Sequence, residues 1–222
     1  MSDHDDDFDT DELLPHEVAE ALEDVTPPGF EGVPEPIVEL CRACVEYVKR
    51  SVGIELDYEP ETLSLVDHYA REVRGTLEGR PEVLPLVAQA VGAYFGEVVR
   101  RSLHGFWRLP SPNYHDWQVC GVAAFVAINP IGVGFDVVVG GEEHDGPRSA
   151  LRVAPEDREL LSARLAMVPP VDETEYFTLC TRLEVLEIVV DTLHGEAERR
   201  GYAEVEYGPE DYDAELKPLG LA

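Results

Sequence analysis

Residues able to do chemistry are spread thinly along this chain, and their spacing decides what each can be. Cys41 and Cys44 form a CxxC pair. Redox use of such a pair requires the first thiol near a helix N-terminus, where the dipole lowers its pKa. Here the pair begins inside a predicted helix with both cysteines on the apolar side, so core packing is the expectation. A structural zinc would need further ligands, and Cys120 and Cys180 are single and distant in sequence. His104, His115 and His144 fall in or beside predicted loops. With Asp116, Glu142, Glu143 and Asp145 they could hold a divalent cation for metal-assisted hydrolysis if those loops meet, but no HExxH or equivalent spacing supports it. There is no GxSxG elbow, and Gly132-Val133-Gly134 lacks the rest of a dinucleotide or phosphate loop. In a chain with 46 acidic residues, any carboxylate pair is uninformative. No catalytic, cofactor-binding or metal residue is therefore assigned, no cofactor is expected, and the reading leans away from an enzyme.

What remains is one corner: Glu97, Arg100, Arg101, His104 and Trp107, followed by Tyr114, His115 and Trp117. Glu97 precedes Arg101 by four positions, the favourable order for an ion pair on a helix surface, and a solvated face accounts for both arginines. Phe106, Trp107, Tyr114 and Trp117 could anchor a partner or plug the end of a sheet against helices; the plug is favoured.

These residues hang on the longest amphipathic pattern in the chain, Leu84 to Trp107. On a helical wheel Leu84, Val87, Ala88, Val91, Tyr94, Phe95, Val98 and Val99 share one half, with Gln89, Ala93, Glu97, Arg100 and Arg101 opposite. Gly92 lies inside the apolar stripe, where glycine costs about 1 kcal/mol relative to alanine. Close approach of another backbone would compensate. Gly105 is read as the stop of the helix.

Around that helix the pattern predicts an α+β fold: an N-terminal helical layer, a three- or four-stranded mostly antiparallel sheet, and two C-terminal helices. Predicted helices cover 16–24, 37–52 and 60–74. Residues 26–36 form a loop with four prolines and two glycines. Val- and Ala-rich 117–128 reads as a strand, Asn129-Pro130-Ile131-Gly132 as a turn, and 133–139 and 149–153 as further strands. Connections this short favour an antiparallel meander. Helices follow at 156–167 and 172–200, then a strand near Val205. The domain plan is an acidic disordered tail (1–12), a single α+β domain (13–207) and an acidic C-terminal tail (208–222).

The segment GAYFGEVVRRSLHGFW, with Asp57-Tyr58-Glu59-Pro60-Glu61-Thr62-Leu63 before it, resembles a group of small bacterial proteins known only as a domain of unknown function. That group shares a "GaYlGEv…W" helix-end signature, and the resemblance covers about residues 56–107. It implies a bacterial origin and a helix-then-sheet order. It implies no catalytic residue.

The net charge is −29. The first twelve residues hold seven acids and no base, so −22 belongs to the rest of the chain. Self-repulsion on this scale opposes binding to nucleic-acid phosphate or to an anionic membrane and suits a basic protein partner. Fifteen Arg against two Lys fit a high-GC bacterial proteome, with a halophilic host as a further reading. No window reaches the roughly 18 apolar residues of a membrane helix, and no signal peptide is read at the N-terminus. A cytoplasmic location with reduced cysteines is the expectation. The functional reading is a non-catalytic module of protein–protein contact, of adaptor, accessory or immunity type, using its acidic surface. The metal-assisted hydrolase and an acidic mimic of nucleic acid are the alternatives.

Overall fold

The computed structural model describes residues 29–77, 79–202 and 204–216. The expected tail at 1–12, the helix at 16–24 and the last six residues of the C-terminal tail lie outside them. The chain divides into two units, Met1–Gly32 and Val33–Ala222. All helices and strands described belong to the second.

That unit is α+β, as the pattern predicts. Helix α1, Glu35–Val52, is opened by Pro36 in its first turn and closed by Gly53 in the left-handed conformation. It buries Ile37, Val38, Cys41, Cys44 and Val48 along one side. A single 3-10 turn, Pro60–Thr62, leads into α2, Leu63–Leu77. The central helix α3 is Leu84–Ser102. The stretch Pro81–Ser102 is long and apolar enough to cross a bilayer by length and composition, contrary to the expectation that no window is, because polar residues interrupt its apolar run. Of its most apolar window, 67% is buried within the fold.

The principal departure lies at 130–139. This stretch is a helix, α4, Pro130–Val139, and not a turn followed by a strand. Asn129 is its N-cap, the side-chain oxygen accepting from the Gly132 N–H at 2.8 Å, and Pro130 takes the first helical position. The same Asn-Pro pair opens turns and helices alike. Uniform burial of Pro130–Val138 removed the polar face that would have marked a helical period. At the other end the Arg74 guanidinium donates to the Val138 and Val137 carbonyls at 3.0 and 3.1 Å, filling the helix's open acceptors.

Helix α4 crosses α3 with backbones in contact. A methyl group built on Gly92 would stand 2.6 Å from the Pro130 carbonyl oxygen and 2.7 Å from Ile131 Cα; one built on Gly134 would strike the Ala88 carbonyl and the Gly92 backbone. The close approach expected at Gly92 is therefore present, and two glycines make it. With α1 also packed on α3, the central helix is buried almost all round from Val87 to Val99, including Ala93 and Glu97 on the side expected to face water.

Four short strands form one antiparallel sheet in the order β1-β2-β3-β4: Phe106–Arg108, Gln118–Cys120, Val126–Ile128 and Leu151–Val153. The predicted strand at 117–128 is two strands joined by a turn. The fourth strand is Phe106–Arg108; Val205 lies in an exposed, non-strand segment. Strand alternation and the register divide the sheet into two faces. Trp107, Val119, Val126 and Ile128 look one way, and Phe106, Cys120 and Ala127 the other. The first face receives α5 (Arg158–Leu165) and α7 (Leu179–Arg200) through Leu161, Val189 and Leu193. The helix predicted at 172–200 is broken: α6, Glu173–Tyr176, ends before Thr178, whose side chain caps α7.

The residues assigned to an acidic C-terminal tail include α8, Pro209–Glu215, which covers the second sheet face. Tyr212 is fully buried. Its hydroxyl accepts from the Val126 N–H at 3.0 Å and lies within donating reach of the Gly121, Ala124 and Val126 carbonyls. Its ring stacks on Phe125 and meets Phe106 edge-on. One aromatic among acids gave no periodic signal, and its hydroxyl holds the β2–β3 turn.

Gly92→Ala should destabilise the protein by about 1–3 kcal/mol through overpacking, seen as a melting temperature several degrees lower; an unchanged value would rule out a tight contact. Tyr212→Phe keeps the ring and strands buried backbone groups. A loss of about 1–3 kcal/mol is expected, measured as a fall in the urea midpoint.

Candidate functional site

The eight residues of the sequence-derived corner separate into several places. Glu97 is fully buried. Its carboxylate accepts from Arg100 Nε and Nη2 at 2.8 and 2.7 Å, from Arg101 Nε at 2.8 Å and from Trp107 Nε1 at 3.2 Å. The expected surface pair is thus an internal cluster. A carboxylate out of water is tolerated here because charged donors surround it, and α1 and α4 remove the solvent the sequence reading supplied. The Trp107 ring lies over Gly96, where a side chain would collide with it.

The segments 57–63 and 92–107 meet at this cluster. Tyr58, at φ +66, stacks on Tyr94 at 4.8 Å and carries the Arg101 guanidinium over its ring, 4.6 Å from the centre. The Tyr94 hydroxyl accepts from the Tyr58 N–H at 2.9 Å and bonds the Thr62 hydroxyl at 2.7 Å. His104 is exposed and takes the left-handed position (φ +51) at the end of α3, the place assigned to Gly105. Gly105 is small because the Cys120 carbonyl passes beside it.

A second polar cluster was not foreseen. Asp136, on α4, accepts from the Ser149 hydroxyl, lies 3.0 Å from His144 Nε2 and stands 3.7 Å from Arg182 Nη2. Arg182 rests on the Tyr176 ring at 4.1 Å. These are the residue types of a hydrolase triad in another wiring. Asp136 bonds both the serine and the histidine, and the serine has no base at its oxygen. The arrangement ties the loop after α4 to α4 and α7. His144 and His115 stand at opposite ends of a ring stack, with Phe135 5.3 Å from His144, Tyr114 6.4 Å from Phe135 and His115 4.8 Å from Tyr114. The Phe135 ring of α4 stands between the two loops. Among the described residues no three His, Cys, Asp or Glu side chains gather as a metal ion would need.

Trp117 is buried with its Nε1 donating to the Ser111 carbonyl at 3.0 Å. Trp107 is buried as well. Cys41 and Cys44 are buried, and burial raises both thiols. Burial pushes Cys120 and Cys180 up to about 12 as well.

One cavity among the described residues lies on the second sheet face, beyond α8. It holds about 430 Å³, within the range of small-molecule sites. Arg108 and Gln118 face each other across β1 and β2, and Arg152 sits opposite Ala127 on β4, so the register points all three to this side. Arg148, Ala150 and Arg152 line it at alternate positions of one extended segment. Across the opening stand His115 and Asp116 from the loop after β1. Asn129 fixes these walls together: its Nδ2 donates to the His115 carbonyl at 2.6 Å, its N–H to the Ala150 carbonyl at 3.1 Å, and its Oδ1 caps α4. The absence of a side chain on Gly132 lets the Arg148 backbone pass against α4. Arg152 fell in the predicted strand 149–153 and Arg148 just before it; alternation across Arg148-Ser149-Ala150-Leu151-Arg152 was the signal that could have joined them.

No protein-family model, curated protein or solved structure matches the chain.

Glu97→Ala should cost about 3–5 kcal/mol, since it strands two arginines in a closed cluster; denaturant unfolding measures it. The thiols make a pH prediction. A folded pKa near 12 for Cys120 and Cys180, above the ordinary 9.0, means that the unfolded chain loses those protons first. Their contribution is complete below pH 9 and is lost as pH climbs from there toward 12. The urea midpoint should hold from pH 7 to 8.5 and fall by pH 10.5, with smaller loss in a Cys120→Ser, Cys180→Ser variant.

Proposed function

We propose that this protein is a non-catalytic interaction module, of adaptor, accessory or immunity type, that presents an acidic surface to a basic protein partner in a reducing, cytoplasmic setting. The observation that carries the reading is the acid stripe of α7. Glu184, Glu187 and Asp191 are exposed at positions three and four apart on the longest helix, and none is paired with a cation among the described residues. Residues so spaced share one face. The polar clusters supply no competing catalytic reading. Glu97 is committed to its arginines and Trp107, and Asp136 joins a serine and a histidine that do not address each other.

Like charges left unpaired on one face lower the stability of the free protein slightly and raise its rate of encounter with an opposite surface. The same charge opposes direct binding to nucleic-acid phosphates and to anionic lipid. Co-purification from the native source names the partner. Against that partner, Glu184→Gln, Glu187→Gln, Asp191→Asn should reduce the association rate about tenfold at low salt and leave dissociation nearly unchanged. The melting temperature should not fall. An association rate identical to wild type, with unaltered salt dependence, would overturn the reading.

A further inference from the structure

We propose that the cavity on the second sheet face binds a small organic anion: a phosphate or carboxylate group carried on a hydroxylated body. The chain has 46 acids for 17 lysines and arginines, so carboxylates are plentiful, although Arg158 and Arg164, outside this cavity, also go without one among the described residues. Arg148 and Arg152 have none among the described residues. Neither side chain forms an ion pair or a hydrogen bond there, and both line the same cavity of about 430 Å³. They sit on one side of a single extended segment, separated by Ala150, whose small side chain leaves the space between them open.

The rest of the wall distinguishes a binding site from a pair of stray arginines. Arg108 lines the same cavity but is already committed: Asp213 pairs with it at 2.7 Å and Gln118 accepts from it at 3.0 Å. That leaves two uncompensated guanidiniums to receive an anion, which their fork geometry suits for carboxylate and phosphate alike. The cavity also opens at the N-terminal end of α4, since its capping residue Asn129 lines the wall. The partial positive charge of that helix end favours the same sign of ligand. Asn129 itself is bonded on three sides, so the walls are held in place before any ligand arrives.

Asp116 qualifies the chemistry. Its carboxylate lines the cavity and one oxygen accepts from the Ser111 hydroxyl at 2.8 Å. A bare anion gains nothing from it. A ligand whose hydroxyl donates to Asp116 while its anionic group meets Arg148 and Arg152 uses all three. This is why the occupant is assigned a hydroxylated body. Pro110, Pro147 and Leu216 also line the cavity and give such a body apolar surface to rest on.

The test is calorimetric titration of the full chain with ribose 5-phosphate, tartrate and inorganic phosphate at low salt. Saturable one-to-one binding of ribose 5-phosphate or tartrate is expected, and which of them is tighter decides between a phosphate and a carboxylate ligand. Arg148→Gln, Arg152→Gln should weaken that binding at least tenfold. Because these side chains bond nothing else described, the melting temperature should stay within about 2 °C. Asp116→Asn should weaken the hydroxylated ligand and strengthen inorganic phosphate, a crossed effect that loss of fold cannot imitate. Arg164→Ala, on the exposed side of α5, serves as the control for net charge and should leave binding unchanged. The proposal is overturned if none of the three probes binds saturably, if the double variant binds as wild type, or if Arg164→Ala weakens binding as much as the double variant.

Discussion

The contact on which the rest of this fold depends is the crossing of α3 and α4 at Gly92 and Gly134. Each glycine lies against the other helix's backbone, and a methyl group on either would meet a main-chain atom that cannot rotate away. Glycine in a helix interior is unfavourable by about 1 kcal/mol, and burial of α4 on every side offsets that. Once α4 is seated, its two ends organise what surrounds it. Arg74 closes the C-terminal carbonyls and Asn129 closes the N-terminal amides. Through Asn129 the same helix fixes the loop after β1 and the approach to β4.

The crossing also explains where the charge goes. With α4 and α1 both against α3, the last turns of the central helix are enclosed, and a lone Glu97 there would be severely unfavourable. Arg100, Arg101 and Trp107 make it tolerable by supplying four hydrogen bonds, three of them from guanidinium groups. This is a specificity device more than a source of stability. A well-packed apolar group of the same size would serve the core as well, but only a carboxylate fixes Trp107 relative to the two arginines. The ring of Trp107 then occupies the space above Gly96, which sets how β1 leaves the helix.

Much of the architecture was legible and one error accounts for most of what was not. Helices α1, α2, α3 and α5 follow from apolar spacing, and Gly92 in the apolar stripe correctly implied a close backbone. The stretch 130–139 carries no polar face, so periodicity could not distinguish a buried helix from a buried strand, and Asn129-Pro130 serves both as turn and as helix start. Reading it as a strand removed the second layer over α3. Glu97 then looked solvated, and its arginines looked like a surface. The residues joined by α4's N-terminus could not be seen to share a wall. Tyr212 escaped for a different reason: its role depends on one hydroxyl reaching backbone groups of a distant turn, which no local pattern encodes.

Their shared cavity makes Arg148 and Arg152 informative among the unmatched arginines described. In a chain of balanced charge, arginines without partners on a strand edge would be ordinary, because solvated cations contribute little either way. Several of the arginines described do meet a carboxylate, Arg50 with Glu46, Arg199 and Arg200 with Glu196, Arg108 with Asp213, whereas Arg158 and Arg164 meet none among the described residues and do not line this cavity. Arg148 and Arg152 stay apart from every described carboxylate while facing a walled space. The long-range field acts against an anion's approach and in favour of a basic protein, so the two binding modes are separated by range. Repulsion over distances beyond about 8–10 Å is screened at physiological ionic strength, whereas attraction inside a cavity is screened far less. A protein this acidic can therefore hold an anion only where a cavity keeps guanidinium groups close to it, and the sheet face beyond α8 meets that condition.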